Sequence, residues 1–568
     1  MFALRFRKIM IKFIQNDHSD EADKTGLRWL VRPGSVKWHR AITEWTGGGR
    51  GRMKRAAVIM MAVVLLFQIY QTDKGMLVVA EASDNPVNLN VAVTVDYRYK
   101  GRSPEELPFI DELEKEANVS VSWQVYDEST WQEQLQMVME SDRQPDIYIN
   151  CISEENFAQY RDQFMELDPL IDENAPNIRA AYEEDPILRE YSTQADGHIY
   201  GLASRRPYRP KIWQKWIINE EWLKRVGMEQ PKTWAELKEV LRAFRDQDAN
   251  GNGDPDDEIP MAIDSVRIFS YIIMGGMGRY ADTQGLSCCR GSFVYLPTTQ
   301  DWRETMEFLH DLYEEGLLYR ESTSISGPML RELGRDPEAA RIGVTLGWSA
   351  NEIFGPQWES QYAVMDQPAA QEGIDPVYTY QIYDSKTYAK HCAQISSKCK
   401  NPEAAIRFLD LFYLEKYSVQ AYYGSMGVGI GENGDGTYRV LVPDGYGDED
   451  WQRMNSMVDN GIYYFSDSLE SRITPPASII KLIQDEEGKN TVLPSDGEAV
   501  GNIHLTDSEI LEAGRIQQSL ENLSEKAMAE FLYQGVSEEA WEKFQDNLLE
   551  AGVDRLLEIY ENARARET

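Results

Sequence analysis

The densest chemistry in this sequence lies between residues 246 and 258, DQDANGNGDPDDE. Oxygen-bearing side chains recur at alternate positions, with glycine where the chain must bend. A hard cation needs that pattern. Two registers compete. One starts at Asp246, runs through Asp248 and Asn250, and puts Gly251 at the bend of an EF-hand-like loop, with Asp257 where Glu is usual. The other starts at Asp248 and runs through Asn250, Asn252 and the carbonyl of Asp254. Its acidic end is Asp256, Asp257 and Glu258. Carboxylates crowded this way repel unless neutralised, so the segment reads as a structural calcium loop rather than a metal-free run of Asx turns.

Catalytic templates fail elsewhere. Gly429-x-Gly431-x-x-Gly434 has the letters of a dinucleotide fingerprint, but it precedes the strand-like TYRVLV instead of opening a helix, and reads as a turn. Neither a phosphate-binding G-x-x-x-x-G-K-[ST] loop nor a G-x-S-x-G elbow occurs. Neighbouring carboxylates such as Glu314 and Glu315 diverge on a helix and read as a solvated face, not as a glycosidase pair. His18, His39, His198, His310, His391 and His504 show no zinc-ligand spacing. Cys151, Cys288, Cys289, Cys392 and Cys399 include no CxxC, and read with the histidines as isolated core or surface residues. No catalytic residue is expected.

The 568 residues carry 94 Asp+Glu against 58 Lys+Arg, a formal charge of −36. That acidity argues against a nucleic-acid surface and against docking on anionic lipid. The length suits several domains, and 14 Trp with 30 Tyr supply many flat rings. The charge is unevenly spread. Residues 1–82 hold 14 Lys/Arg and 7 Asp/Glu, a basic leader on an acidic body. Arg50, Arg52, Lys54 and Arg55 precede an apolar run over 56–67. A twelve-residue helix spans about 18 Å, short of a bilayer core of roughly 30 Å. The segment reads as a signal peptide, with Ala80-Glu81-Ala82 as a cleavage site, or as an anchor to the membrane surface if uncleaved.

The elements that must position the loop and the rings are legible in outline. Residues 88–96 (NLNVAVTVD) and 119–125 (VSVSWQV) alternate as strands, and 146–149 form a short buried strand. Helical spacing at 107–117 and 131–139 lies between them, the order of a parallel α/β sheet. Residues 164–171 read as a packed turn and 196–202 as a strand. A Pro/Arg break at 205–210 follows, then a strand at 211–219 and a helix from 220. Thr233 and Glu236 fit a capping box that opens a helix to about Asp246. Further helices are expected at 302–315 and 401–417, with a strand at 340–346. Residues 506–566 read as almost wholly helical, broken near Gly535 and Gly552.

Several stretches in this order carry a resemblance: LDPLIDENAPN at 167–177, DGHIYGL at 196–202, and PKTWAELKEVLRAFRDQDANGNGDPDDEIP at 231–260. LYEEGLL at 312–318, NPEAAIRFLDLFY at 401–413 and FLYQGVSEEAWEKF at 531–544 complete the set. Together they resemble the extracellular solute-binding proteins of bacterial ATP-binding-cassette importers, in particular the oligosaccharide-binding lipoprotein-type receptors. The resemblance covers roughly residues 88–566. The lipid-anchor Cys of such receptors has no counterpart between the apolar run and Cys151. It implies an α/β, two-lobed periplasmic-binding-protein-like fold with a hinge and a helical C-terminal region. After a leader at 1–82, lobe one is expected at 83–205 plus 361–420. Lobe two is expected at 206–360 plus 421–568. The second calcium register is similar to the metal loop of this receptor family.

On that fold a ligand sits beyond the carboxyl ends of strands, where Tyr97, Asn150 and Trp348 fall. The Gly347-Trp348 segment is similar to the one that supplies a sugar-stacking Trp in such receptors. Arg206 and Tyr208 lie at the expected hinge, on the cleft wall. Trp222, Trp234 and Trp541 sit at apolar helical spacing and are assigned to packing. The function implied is capture of an oligosaccharide outside a bacterial cell, at its surface or secreted, and delivery to importer permease subunits. Two alternatives stand beside it: a secreted glycoside hydrolase or lyase, and a sensory or peptide-binding receptor.

Overall fold

The computed structural model describes residues 85–567, apart from 96–102, 208–211, 213, 255, 282–283, 290, 379–386 and 490–501. The leader at 1–82, Tyr97 and Tyr208 lie outside the described residues.

Fourteen strands are described: β1 (Val87–Val95), β2 (Val119–Asp127), β3 (Ile147–Ile149), β4 (Gly201–Arg205), β5 (Lys215–Asn219), β6 (Ile259–Ala262), β7 (Leu286–Cys289), β8 (Ser292–Tyr295), β9 (Ile342–Gly347), β10 (Tyr362–Val364), β11 (Tyr388–Ile395), β12 (Ile430–Glu432), β13 (Tyr438–Val440) and β14 (Ile473–Thr474). Alternation in β1 turns Leu89, Val91 and Val93 to one core and Ala92 to another. The first sheet runs β2-β1-β3-β11-β4. The parallel order expected from the sequence holds where β1 pairs with β2 and β3. β11 runs antiparallel to both β3 and β4. It arrives from the other core rather than through a helical crossover, so nothing forces it parallel.

The second sheet runs β10-β5-β9-β6. Trp216 and Ile218 of β5 face one core and Ile217 the opposite one, so this sheet too is covered on both sides. Thr233 caps the helix Trp234–Asp246 by accepting from Glu236 N at 3.2 Å. Glu236 reaches back to Lys232 N at 2.7 Å, one residue beyond the Thr233 N of the expected box. The helices Asp507–Gln534, Glu538–Ala551 and Val553–Glu567 break at Gly535 and Gly552 as expected. They pack on the second core, where Trp302 stacks on Phe544 at 5.3 Å and on Trp541 at 6.1 Å. Trp222, Trp234 and Trp541 are buried in that core.

Three local readings shift. The expected turn at 164–171 contains the start of a helix, Asp168–Asn174. The expected strand at 196–202 is mostly turn, with β4 beginning at Gly201. The expected helix at 401–417 is Pro402–Asp410, followed by a tighter turn and a second helix, Glu415–Tyr423.

The lobe division differs more. Residues expected in lobe two, among them Ile430, Tyr438, Met457, Ile462 and Ile473, belong to the core under the first sheet. Tyr463 O accepts from Arg205 N at 3.1 Å, tying this segment to β4. Conversely β10, Met365 and Tyr378, expected in lobe one, pack with the second sheet. The chain therefore passes between the two cores three times: after β4, before β11 and after β14. Among the described residues no helix is long and apolar enough to cross a membrane.

Candidate ligand cleft and metal loop

β9 is a continuous buried strand, Ile342–Gly347, and Trp348 stands immediately beyond its carboxyl end. Ser349 caps the helix that follows, Ala350–Trp358, by accepting from Glu352 N at 3.0 Å. Cap and strand together fix the Trp348 backbone. From below, Lys215 of β5 donates to the Trp348 carbonyl at 3.2 Å and sets its ammonium 4.6 Å from the ring centre. Lys215 is fully buried and pairs with Glu486 at 3.2 Å. Burial holds its pKa below the usual lysine range, against the pull of Glu486.

From the opposite side comes the helix Asp448–Asn455. Its Glu449 carboxyl lies within reach of the Trp348 side chain, which pulls weakly against the rise that burial gives the carboxyl. One turn on, Arg453 reaches Glu449 at 3.9 Å and Asp459 at 3.1 Å. Arg453 also lines a pocket with Val95, Ser103, Leu107, Met457 and Asn460, at the carboxyl end of β1. Asn460 donates to Thr94 O at 3.0 Å, and Thr94 Oγ1 donates to Asn150 O at 2.8 Å.

Asn150, beyond β3, takes a left-handed φ of 49° and donates from Nδ2 to Gly461 O at 3.0 Å. Here its amide staples the loop 456–461 to the sheet. Arg206 donates from Nε to the Tyr463 hydroxyl at 3.0 Å, and Tyr463 donates on to Val458 O at 2.9 Å. The Tyr463 hydroxyl, with smaller help from Tyr422, Cys392 and Asp459, holds the Arg206 pKa above the ordinary range. The ionic chain Glu449–Arg453–Asp459 thus runs from beside Trp348 to the segment 456–461, to which Tyr463 also ties Arg206. Asn150 supports the loop that carries Asp459.

Sequence reasoning missed Lys215, Glu449, Arg453 and Glu352. Glu352 and Glu449 keep 40% and 43% of their side-chain surface, yet protein surrounds them on most sides. Burial raises both above the usual carboxylate range. With Trp348 they offer a flat ring and strong hydrogen-bond acceptors, the means of holding a polyhydroxylated ligand.

The acidic loop is equally specific. Asp246 is paired with Arg245 at 2.7 and 3.1 Å, which takes the first ligand from the register that starts there. In the register from Asp248, Asp248 accepts from Gly251 N at 2.7 Å and Gly253 N at 3.0 Å. Asn250 Oδ1 and Asn252 Oδ1 each accept from the backbone two residues on, at 2.8 Å. Asp257 lies between the amides of Asn250 and Asn252, at 2.6 and 2.8 Å. Asp254 accepts from Asp256 N at 3.2 Å. Gly251 has a φ of +77°, and a Cβ there would stand 2.6 Å from the Arg225 guanidinium, so any side chain at this bend would be strained and would displace Arg225. Glu258 Oε1 accepts from Asn250 N at 3.1 Å, while its Oε2 is buried without a hydrogen-bond partner. Burial raises Glu258, and repulsion from Asp257 and Asp248 adds to the rise. An orphaned carboxylate oxygen beside two more carboxylates fits a hard cation with oxygen ligands.

The histidines also surprise. His198 Nδ1 stands 3.4 Å from Glu166 and 3.7 Å from Asp168, an exposed ionic cluster assembled from two segments.

The sequence model for bacterial extracellular solute-binding proteins matches residues 102–418. The chain belongs to that family. This solute-binding protein is 24% identical over 494 residues to the fructooligosaccharide ABC transporter substrate-binding protein FusA of Streptococcus pneumoniae serotype 4, covering 81% of this chain and 86% of FusA. Two solved structures share its fold. One is an HMO binding, ABC-transporter-associated solute-binding protein of Bifidobacterium longum infantis. It has a TM-score of 0.75 and 23% identity, over 84% of this chain and 98% of that one. The other is an EF-hand mutant of S. pneumoniae FusA in complex with fructo-nystose. It has a TM-score of 0.75 and 21% identity, over 84% of this chain and 100% of that one. The two-lobed α/β fold expected from the sequence is thereby shown.

Proposed function

We propose that this solute-binding protein captures an oligosaccharide outside the cell and delivers it unchanged to the permease subunits of an ABC importer. Its two lobes would be 85–205 with 388–473, and 212–378 with 477–489 and 502–567, hinged at the three passages between cores. Closure brings the helix Asp448–Asn455 over Trp348, so that only the closed state touches both faces of a sugar. The observation that carries this reading is the placement of Trp348. It stands beyond the end of β9, braced by Lys215 and faced by Glu449 from the other lobe. In this reading Trp348 stacks on a pyranose, and Arg206 and Asn150 support the opposite wall. Tyr97 and Tyr208 are proposed as further wall residues. The kinship with FusA, a fructooligosaccharide-binding protein by name, supports the choice of cargo.

The same reading places a structural calcium ion on Asp248, Asn250, Asn252, Asp254, Asp256, Asp257 and Glu258. Bound there, calcium neutralises the crowded carboxylates and pins the loop between the helix Trp234–Asp246 and β6. The name of the related FusA EF-hand mutant supports the choice of a metal-binding loop. Residues 1–82 would act as the export signal or the tether to the outer face of the membrane.

A glycoside hydrolase would need two carboxylates with separated pKa values. Glu352 and Glu449 are both raised by burial, and Arg331 and Arg453 stand 3.5 and 3.9 Å from them, so their environments do not diverge. Calorimetry against oligosaccharides and peptides, with X-ray scattering of the same samples, tests the proposal. The expected result is one oligosaccharide bound per chain, a smaller radius of gyration, and no new reducing ends. Scattering that stays the same with every saccharide, or accumulating fragments, would sink it.

A further inference from the structure

The acids around Trp348 carry a statement about cargo charge. Asp264 follows β6 and faces the first turn of the helix Gly327–Gly334, its Oδ2 2.8 Å from where a Cβ on Gly327 would stand. Glu352 lies on the helix after Trp348, and Glu449 on the helix from the opposite lobe. Asp264 and Glu352 interact electrostatically, as do Glu352 and Glu449.

We propose that this cleft takes an uncharged oligosaccharide and turns away uronates, with Asp264, Glu352 and Glu449 as the excluding wall. This rests on the reading of the cleft as a saccharide site.

The cations in reach are already engaged. Arg331 stands 3.5 Å from Glu352. Arg453 serves Glu449 and Asp459. Arg335 donates to the Glu352 carbonyl at 2.7 Å. Arg206 is bonded to Tyr463. A uronate carboxylate would need a guanidinium fork of its own, and taking one would strand a protein carboxylate on the cleft wall. Hydroxyls reverse this balance: they donate to carboxylates without adding charge. Burial already lifts Asp264, Glu352 and Glu449 above the usual carboxylate range, so negative charge is costly there before any ligand arrives. Lys215 does not offset this, because Glu486 neutralises it beneath the ring.

Calorimetry of the full chain decides the matter, at pH 7 and low salt. The neutral probes are fructo-, malto- and xylo-tetraose. The charged probes are tetragalacturonate, tetraguluronate and the glucosamine tetramer. At least one neutral probe should bind, and each uronate should bind at least about tenfold more weakly than it, or about 1.4 kcal/mol. Glu352→Gln and Glu449→Gln should narrow that gap, and raising the salt should narrow it in the unaltered protein. A uronate that binds as tightly as every neutral probe overturns the charge inference while leaving the receptor reading intact. A glucosamine tetramer tighter than every neutral sugar does the same. Binding by none of the six overturns the receptor reading and the inference with it.

Discussion

Lys215 lies wholly inside the protein with its ammonium 4.6 Å from the centre of the Trp348 ring and 3.2 Å from the Trp348 carbonyl oxygen. A buried lysine is costly unless paired, and Glu486 supplies the pair at 3.2 Å. Glu486 belongs to the helix Ala477–Glu486, which the chain reaches just after leaving the first core for the last time. One ionic contact therefore joins a passage between the lobes to the ring proposed to stack on cargo.

Removing the lysine alone should damage both stability and binding. Lys215→Met strands Glu486 in the interior, at a cost of about 3–5 kcal/mol. The double variant Lys215→Met, Glu486→Leu removes the stranded charge, and its melting temperature should return to within a few degrees of the parent. Its affinity should stay at least about tenfold weak, because the ring has lost its cation and its carbonyl donor. Calorimetry beside thermal melting separates the two effects. Full recovery of affinity in the double variant would show that Lys215 only supports the fold.

Trp348→Ala should behave in the opposite way. The residue sits at the end of a strand rather than in the core, so the melting temperature should move by only a few degrees. Oligosaccharide affinity should fall by about 2 kcal/mol or more, roughly 30-fold, as for a stacking anchor. Trp348→Phe should recover part of it. An unchanged affinity in the alanine variant would place the cargo elsewhere.

The calcium loop allows its two registers to be told apart. Chelation should lower the melting temperature, and added calcium should restore it. Saturation at a hundred times the dissociation constant is worth about 2.7 kcal/mol. Asp248→Asn should weaken this response strongly, because Asp248 heads the register whose donors converge. Asp246→Asn should leave it intact, because Asp246 is held by Arg245. Equal loss in both variants would return the ligand set to the EF-hand-like register.

These cases show what could be read from residue order. The place of Trp348 just beyond a strand was legible, because the apolar run expected at 340–346 ends beside it. The run of oxygen donors at 248–258 was legible because those residues are contiguous. Lys215 was not: a lysine in KIWQKWIIN breaks an apolar run and looks like a surface position, although it carries the buried pair. Asp448-Glu449-Asp450 resembles any acidic helix start, and only the fold sets Glu449 near Trp348, distant in sequence. Membership of the two cores is hidden in the sequence for a similar reason. Whether Ile430, Tyr438 and Ile473 pack with the first or second sheet depends on contacts with residues far away in sequence, such as Arg205 with Tyr463. Local periodicity holds no record of such partners.

Two buried groups near the first sheet should oppose one another as pH falls. Burial pushes Asp410 up to about 6, although Asn177 and Ile178 donate to it at 2.6–2.9 Å. Burial pushes His391 down to about 4, and neither ring nitrogen has a hydrogen-bond partner. Asp410 has a folded pKa above its unfolded value near 4. The folded state takes up its proton first, so stability rises as pH drops from about 6 to about 4 and is lost again as pH climbs back through about 6. His391 has a folded pKa below its unfolded value near 6.5. The unfolded chain takes up that proton first, so stability falls between about pH 6.5 and pH 4. Each effect amounts to about 3 kcal/mol at most, and the signs are opposite. Melting temperatures at pH 7 and pH 5 should therefore differ little in the parent on account of this pair. His391→Gln should make the protein relatively more stable at pH 5, by several degrees. Asp410→Asn should make it relatively less stable there. Variants that shift in the same direction would refute the opposition.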